Sequence, residues 1–336
     1  MGKEDSGISP SAIIECETLL TGENIHIGDN CILKAKKITI ADGVSIDHDT
    51  VIDCTSSRYA KTTDTEISIG LHSSISYSTR IFVPKYIMGE YSMLYNYILI
   101  YGQKKLTIGH NCWIGENTIL NAEDELIIGN NVGIGTYSQV WTHGYWGEAL
   151  EGCLLNKSAP TVIEDDAWLI GHTIVSAGVR IGKQSTILPG AVLTKSTQEK
   201  SIWGGSPAID MTDKVKAWKT VSLEEKLKMM RDYAKQFVEI EYPSQYQHEQ
   251  DRILVSEDGY KFMIAFSDNY KEFQFKNESI DTILIVKQLE ENTSPPENIV
   301  IFDLKSKRYI KRKLNCESKF ILFLRSYRAR FLPSDA

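Results

Sequence analysis

From Ile163 onward an aliphatic residue recurs at every sixth position: Ile163, Leu169, Val175, Ile181, Ile187 and Leu193. Four residues after each of the first five stands a small or β-branched residue, Ala167, Thr173, Val179, Ser185 and Ala191. A helix repeats every ~3.6 residues and a strand every ~2, so neither keeps both positions in phase over this distance. Six-residue sides stacked three to a coil do. The aliphatic residue fills a prism, the small one fits near a corner, and Gly, Asp or Asn supplies the turn. The same phase runs upstream in sets: Ile108, Ile114, Leu120; Ile128, Ile134, Val140; Ile69, Ile75, Ile81; Ile40, Ile46, Ile52; and Ile8, Ile14, Leu20. The pattern predicts a mostly β protein whose first domain, residues 1–209, is a left-handed parallel β-helix of hexapeptide repeats.

Three stretches lose the phase and are expected to leave the prism: Cys54–Glu66, Pro84–Leu106 and Trp141–Thr161. The first is polar and reads as a loop. The second carries Tyr86, Tyr91, Tyr95 and Tyr97, which points to packing between subunits or to a sugar platform. After Pro207 the repeat stops. Ser222-Leu-Glu-Glu225 is a capping-box pattern, and Leu223, Leu227, Met230, Ala234 and Phe237 follow at roughly helical spacing. Residues 210–250 are therefore expected to form a helical cap or linker over the open end of the solenoid. From about Asp251 to residue 336, RILVSE, YKFMIAF, EFQFK, DTILIVK, NIVIFDL and FILFLRSYRARFL read as strands of a small β-rich domain.

Bulk properties narrow the function. The chain has 336 residues and a net charge of −7, which excludes general attraction to nucleic acid. Its six cysteines are scattered with no paired spacing, as in reduced thiols of a cytoplasmic protein. The N-terminus MGKEDSGISP has no apolar core, and no stretch approaches the ~20 apolar residues that span a bilayer. One basic run, KSKRYIKRK, could meet an anionic glycan, a pyrophosphate carrier or a membrane surface through the C-terminal domain, or be the solvated face of a strand.

The segments IGHNCWIGENTIL, IIGNNVGIG, WTHGYWG, APTVIEDDAWLIGHTIVSAGVRIGKQSTILPGAVLTKS and WGGSPA resemble the hexapeptide-repeat acyltransferases, in the branch of galactoside, maltose and polysaccharide O-acetyltransferases. The likeness covers roughly residues 108–208. It implies acetyl-CoA as co-substrate, no metal, and a homotrimer with active sites between neighbouring prisms. It also implies that His143 is the general base for direct transfer from the thioester to a hydroxyl. An imidazole that titrates near ~6.5 suits that task at neutral pH. Glu148, Glu151 or a main-chain carbonyl would orient the ring.

On the donor side the resemblance implies Trp168 beside the acetyl end, Gly171, Ala177 and Pro189 along the pantetheine, Thr194 and Lys195 near the phosphates, and Pro207 beside the adenine. The basic residue usual after that PA is replaced by Ile209 and Asp210, and Arg180 and Lys183 are candidates to compensate. On the acceptor side the aligned sugar-binding Asn is Gly115, so galactoside specificity does not transfer; Asn117, Tyr145 and Trp146 are the candidates. His110 reads as a corner residue and His172 as a lining of the subunit groove.

The expected function is O-acetylation of a sugar in surface-polysaccharide synthesis. The alternatives are N-acetylation of an amino-sugar nucleotide, a zinc enzyme of the γ-carbonic anhydrase type, and a non-catalytic trimeric scaffold. The zinc enzyme would need three converging histidines, and the close pair it carries on one coil is missing.

Overall fold

The computed structural model describes residues 7–56, 58, 62–215, 218–249, 251–273, 280–290 and 293–334. The chain divides into two compact units, Met1–Trp218 and Lys219–Ala336. No described helix is long and apolar enough to cross a membrane.

The first unit is a three-sided parallel β-solenoid. Among the described residues its short strands form faces of eleven, nine and eight strands, stacked in parallel coil on coil except for Ile209–Asp210, which folds back antiparallel on Ile202–Gly204. Ile134, Leu169 and Ile187 are in register on the first face, Val140, Val175 and Leu193 on the second, and Ile128, Ile163 and Ile181 on the third. All the aliphatic positions from Ile163 to Leu193 are buried, and so are Ala167, Thr173, Val179, Ser185 and Ala191. The hydroxyls among them are satisfied inside the prism, as where Thr173 Oγ1 meets Ser138 Oγ at 3.0 Å. The first described coil differs. Ile8 and Leu20 stay about half exposed because described chain lies against it on one side alone.

Pro84–Leu106 does not leave the prism. Lys85–Met88, Met93–Leu94 and Leu99–Tyr101 occupy the third, first and second faces in turn. The inward positions are held there by Tyr86, Met88, Leu94 and Ile100, so an aliphatic-only ladder misses the coil. Apolar volume is what the interior requires, and a ring or a thioether provides it. The Tyr86 hydroxyl donates to Met88 Sδ at 3.1 Å, and burial pushes its phenol pKa up. Tyr86 and Tyr91 are fully buried within the chain, which removes them from any subunit contact or sugar platform.

The other two departures do interrupt the ladder. Described residues between Asp53 and Glu66 contain no strand. Between Gln139–Val140 and Thr161–Ile163 the chain forms a hairpin of two strands, His143–Tyr145 and Asn156–Ser158.

The second unit is built on a mixed seven-stranded sheet whose strands lie side by side in chain order, from Tyr246–Glu249 to Leu332–Ser334. Tyr260–Ser267, Asp281–Val286 and Ile299–Asp303 run parallel at its centre. Their near-continuous apolar runs are buried on both sides. The helix α1, Leu223–Glu241, starts at Ser222 with the capping box formed: Ser222 Oγ accepts from Glu225 N, and Glu225 Oε2 accepts from Ser222 N at 2.7 Å.

This helix is part of the second unit. It packs with a second helix, α2 (Asn315–Ser326), and with the strands Tyr260–Ser267 and Asp281–Val286. Phe237 of α1 lies edge-on to Phe320 of α2 at 5.1 Å, and Phe320 in turn to Phe302 of the sheet at 5.6 Å. The segment FILFLRS, expected as strand, is in α2. Cys316, Phe320 and Phe323–Leu324 recur at three- to four-residue spacing and face inward, and Glu317 folds back onto the N–H of Leu314 at 3.2 Å. The expected strand EFQFK falls partly outside the described residues, since 274–279 are not among them.

Candidate active site

The hairpin leaves the prism where the second face would turn to the third, and both its ends are tied down. Ala159 N–H bonds Thr142 O at 3.0 Å, and Thr161 Oγ1 bonds Trp141 O at 2.8 Å. Its strands pair antiparallel, with His143 opposite Ser158, Gly144 opposite Lys157 and Tyr145 opposite Asn156. Together with the second face the hairpin encloses a cleft of about 580 Å³. Trp141, His143, Gly144, Trp146 and residues 154–157 line it from the hairpin. Gln139, Ile174, Ser176, Ala177 and Thr194 line it from the solenoid.

His143 is held by Asn121, one coil below. Its Nδ1 lies 2.7 Å from Asn121 Oδ1. Asn121 is fully buried, and its amide orientation follows from its other partners. Oδ1 accepts from the Thr142 main-chain N–H at 3.3 Å, while Nδ2 donates to Tyr101 O at 3.4 Å. A main-chain N–H can only donate, so the atom facing His143 is the oxygen, and His143 Nδ1 must carry the proton. Nε2 is then left with its lone pair. Thr142 Oγ1 completes the cluster, donating to Asn121 Oδ1 at 2.8 Å and accepting from Asp124 N–H at 3.0 Å. Trp141 and Tyr145 flank the imidazole, with ring centroids 6.1 and 5.3 Å away.

The partner of the histidine is therefore neither glutamate nor a main-chain carbonyl. Glu148 instead accepts from Leu150 N–H within the hairpin tip. Sequence reasoning missed Asn121, which is 22 residues from His143 and becomes its neighbour through coil stacking alone. Its one signal is a polar residue directly after the inward Leu120, and Asn is so common at solenoid corners that this signal is weak.

Of the residues singled out from the sequence, the fold brings His143, Trp146, Ala177 and Thr194 to this cleft. Tyr145 sits beside the histidine and is 62% exposed. Trp168 lies on the first face, its ring over Gly133, where an added Cβ would approach Cε3 to 2.4 Å. Gly171 takes a left-handed turn (φ 107°) at the corner between first and second faces. Asn117 holds the same corner two coils earlier (φ 57°), with its N–H on Asn96 O at 3.1 Å. Pro189, Lys195 and Pro207 are exposed and do not line the cleft.

Arg180 is engaged in an ion pair with Glu164. His110 Nδ1 accepts from Glu90 N–H at 3.1 Å, and His172 stacks on Tyr137 at 5.1 Å. Among the described residues no group of three or more His, Cys, Asp or Glu is placed to hold a metal ion.

The basic run of the second unit serves its own fold. Lys307 Nζ stands 3.6 Å over the Phe331 ring, Arg308 donates to Pro333 O, and Arg312 donates to Pro295 O and Pro296 O.

No family model matches the chain. Over 205 residues it is 29% identical to the bifunctional protein GlmU of Pseudoalteromonas atlantica, covering 59% of this chain and 37% of that protein. Over 112 residues it is 30% identical to the galactoside O-acetyltransferase of Lactococcus lactis, covering 32% of this chain and 53% of that protein. Both similarities agree with the resemblance to the hexapeptide-repeat acyltransferases. The chain spans only about a third to a half of the length of these two relatives. Among solved structures, the polySia-specific acetyltransferase NeuO aligns with 68% of this chain and 100% of its own at 15% identity and a TM-score of 0.39.

Proposed function

We propose that this chain is an acetyl-CoA-dependent O-acetyltransferase that acts on a sugar hydroxyl, with His143 as general base. The observation that carries this reading is the 2.7 Å bond from His143 Nδ1 to Asn121 at the wall of the cleft. It leaves Nε2 as a proton acceptor beside flat aromatic surfaces that suit a sugar ring. The acceptor hydroxyl gives its proton to Nε2 as its oxygen bonds the thioester carbonyl carbon. The carbon–sulfur bond then breaks, the acetyl group stays on the sugar oxygen as an ester, and the proton on Nε2 passes to the departing thiolate. No group is left on the protein.

Ala177 and Thr194 give the pantetheine arm a path along the second face, and Ser176 offers it a hydroxyl. Trp168, Gly171, Pro189, Lys195 and Pro207 are assigned to the donor by motif. Because they lie outside the single-chain cleft, that assignment goes with a homotrimer in which a neighbouring prism completes the site. Asn117, Tyr145 and Trp146 are assigned to the acceptor. A place in surface-polysaccharide synthesis, in the cytoplasm, fits this chemistry.

Replacing His143 by Ala tests the base. CoA release with a panel of sugar acceptors should fall about 10²–10⁴-fold while acetyl-CoA binding persists. Unchanged release contradicts the mechanism. Mild alkali distinguishes the product: an O-acetyl ester is cleaved, whereas a product that survives is an amide and makes the enzyme an N-acetyltransferase.

A further inference from the structure

We propose that Lys157 makes the His143 cleft selective for an anionic acceptor, a sugar bearing a carboxylate or a phosphate. This rests on the transferase reading above and narrows its substrate class. Lys157 is the one Lys, Arg, Asp or Glu among the residues that line the cleft. Among the described residues no carboxylate lies within ion-pair distance of its ammonium. It stands directly across the hairpin from Gly144, the residue next to the base.

Its side chain is exposed, and the tip rests against the solenoid. The side chain lies over the turn at Gly178, which has a left-handed φ of 73° and no side chain of its own. A Cβ added there would come within 2.9 Å of both Lys157 Cε and Nζ. The bare glycine thus leaves the space that the ammonium fills, beside the cleft residue Ala177.

A second donor lies on the same hairpin. The indole Nε1 of Trp146 covers Gly144, where an added Cβ would approach it to 2.6 Å. Ammonium and indole N–H only donate hydrogen bonds, and carboxylate and phosphate oxygens only accept them. A neutral hydroxyl gains less from two such donors than an anion does. The chain as a whole carries −7, so an acidic sugar is not drawn in by the overall field and a cation beside the base has to supply the attraction locally.

The experiment compares the wild type with Lys157→Met and Lys157→Arg. Acceptors are the methyl glycosides of glucuronic and galacturonic acid, those of glucose and galactose, and glucose 6-phosphate. Binding of each is measured by calorimetry alongside turnover. The wild type should prefer the acidic members in both measurements. Lys157→Met should cut that preference about tenfold through KM, with the acetyl-CoA KM unmoved, and Lys157→Arg should restore most of it. Whether the uronates or the phosphate respond more identifies the anion. No preference in the wild type, an equal loss on neutral and acidic sugars, or a loss that appears in the acetyl-CoA KM overturns the proposal. If acidic sugars bind through Lys157 and no acceptor releases CoA, the subsite stands and the transferase reading fails.

Discussion

Residues 161–193 and the hairpin at 141–160 are consecutive in the chain and are held together by different forces. In the coils every sixth residue is a buried aliphatic side chain, and each strand of two or three residues pairs with an equivalent strand of a neighbouring coil. Order there comes from repetition: no strand is stable alone, and the stack buries a continuous core. The hairpin has almost no core. Leu150, Leu154 and Leu155 are 94%, 88% and 68% exposed, and Trp146 is 70% exposed. Its order comes from a few hydrogen bonds at its base, centred on the buried Asn121. The proposed chemistry lies where the two regimes meet, on a residue hydrogen-bonded to the solenoid and surrounded by a segment with few buried contacts.

The contrast can be broken at its strongest point first. Ile187→Ala leaves a void in the prism and should destabilise the first unit by about 2–5 kcal/mol in denaturant unfolding. A cost under ~1 kcal/mol would mean that the coils do not depend on this packing. Next comes Asn121→Ala, which strips the acceptor from Thr142 N–H and from His143. It should cost about 1–3 kcal/mol of stability and lower kcat about tenfold, because the freed imidazole divides between tautomers and orientations. Asn121→Asp should keep the geometry and move the acid limb of the pH–rate profile to higher pH, since a carboxylate favours the protonated ring. Trp146→Ala should raise the acceptor KM about 2- to 10-fold with little change in kcat, the scale of one aromatic contact. Smallest of all, Leu154→Ser at the exposed tip should shift stability by no more than about 0.5 kcal/mol.

The same boundary separates what the sequence made legible from what it did not. The coils were legible because hexads are a local, repeated signal, and the residues from Ile163 to Leu193 sit where the pattern put them. The coil at 84–106 was missed for a chemical reason: Tyr86 and Met88 do the work of an isoleucine, and an aliphatic count is blind to them. In the second unit, FILFLR is a short run of apolar residues, and periodicity cannot tell a buried strand from a buried helix at that length. Upstream, Leu94 pairs with Ile114 and Ile114 with Ile134, twenty residues apart, while Leu169 pairs with Ile187 at eighteen. Earlier still, Ile75 pairs with Leu94 at nineteen, and these one or two extra residues per coil make the hexad phase restart in sets. At the cleft, the aromatic loop that opens at His143 could be read from the sequence as a break in the ladder, but the contact from Asn121 and the placing of Lys157 opposite Gly144 could not. Both owe their place to strand pairing between residues distant along the chain.

The central claim is that Asn121 holds His143 with the proton on Nδ1 and leaves Nε2 free to take one. Nitrogen-15 NMR of the histidine-labelled protein, correlated to the imidazole carbon-bound protons at neutral pH, reads the tautomer directly once His143 is assigned by its loss in His143→Ala. The account predicts a protonated Nδ1 and an unprotonated Nε2 in the wild type, with that preference lost in Asn121→Ala. A wild-type His143 that carries its proton on Nε2 would contradict it.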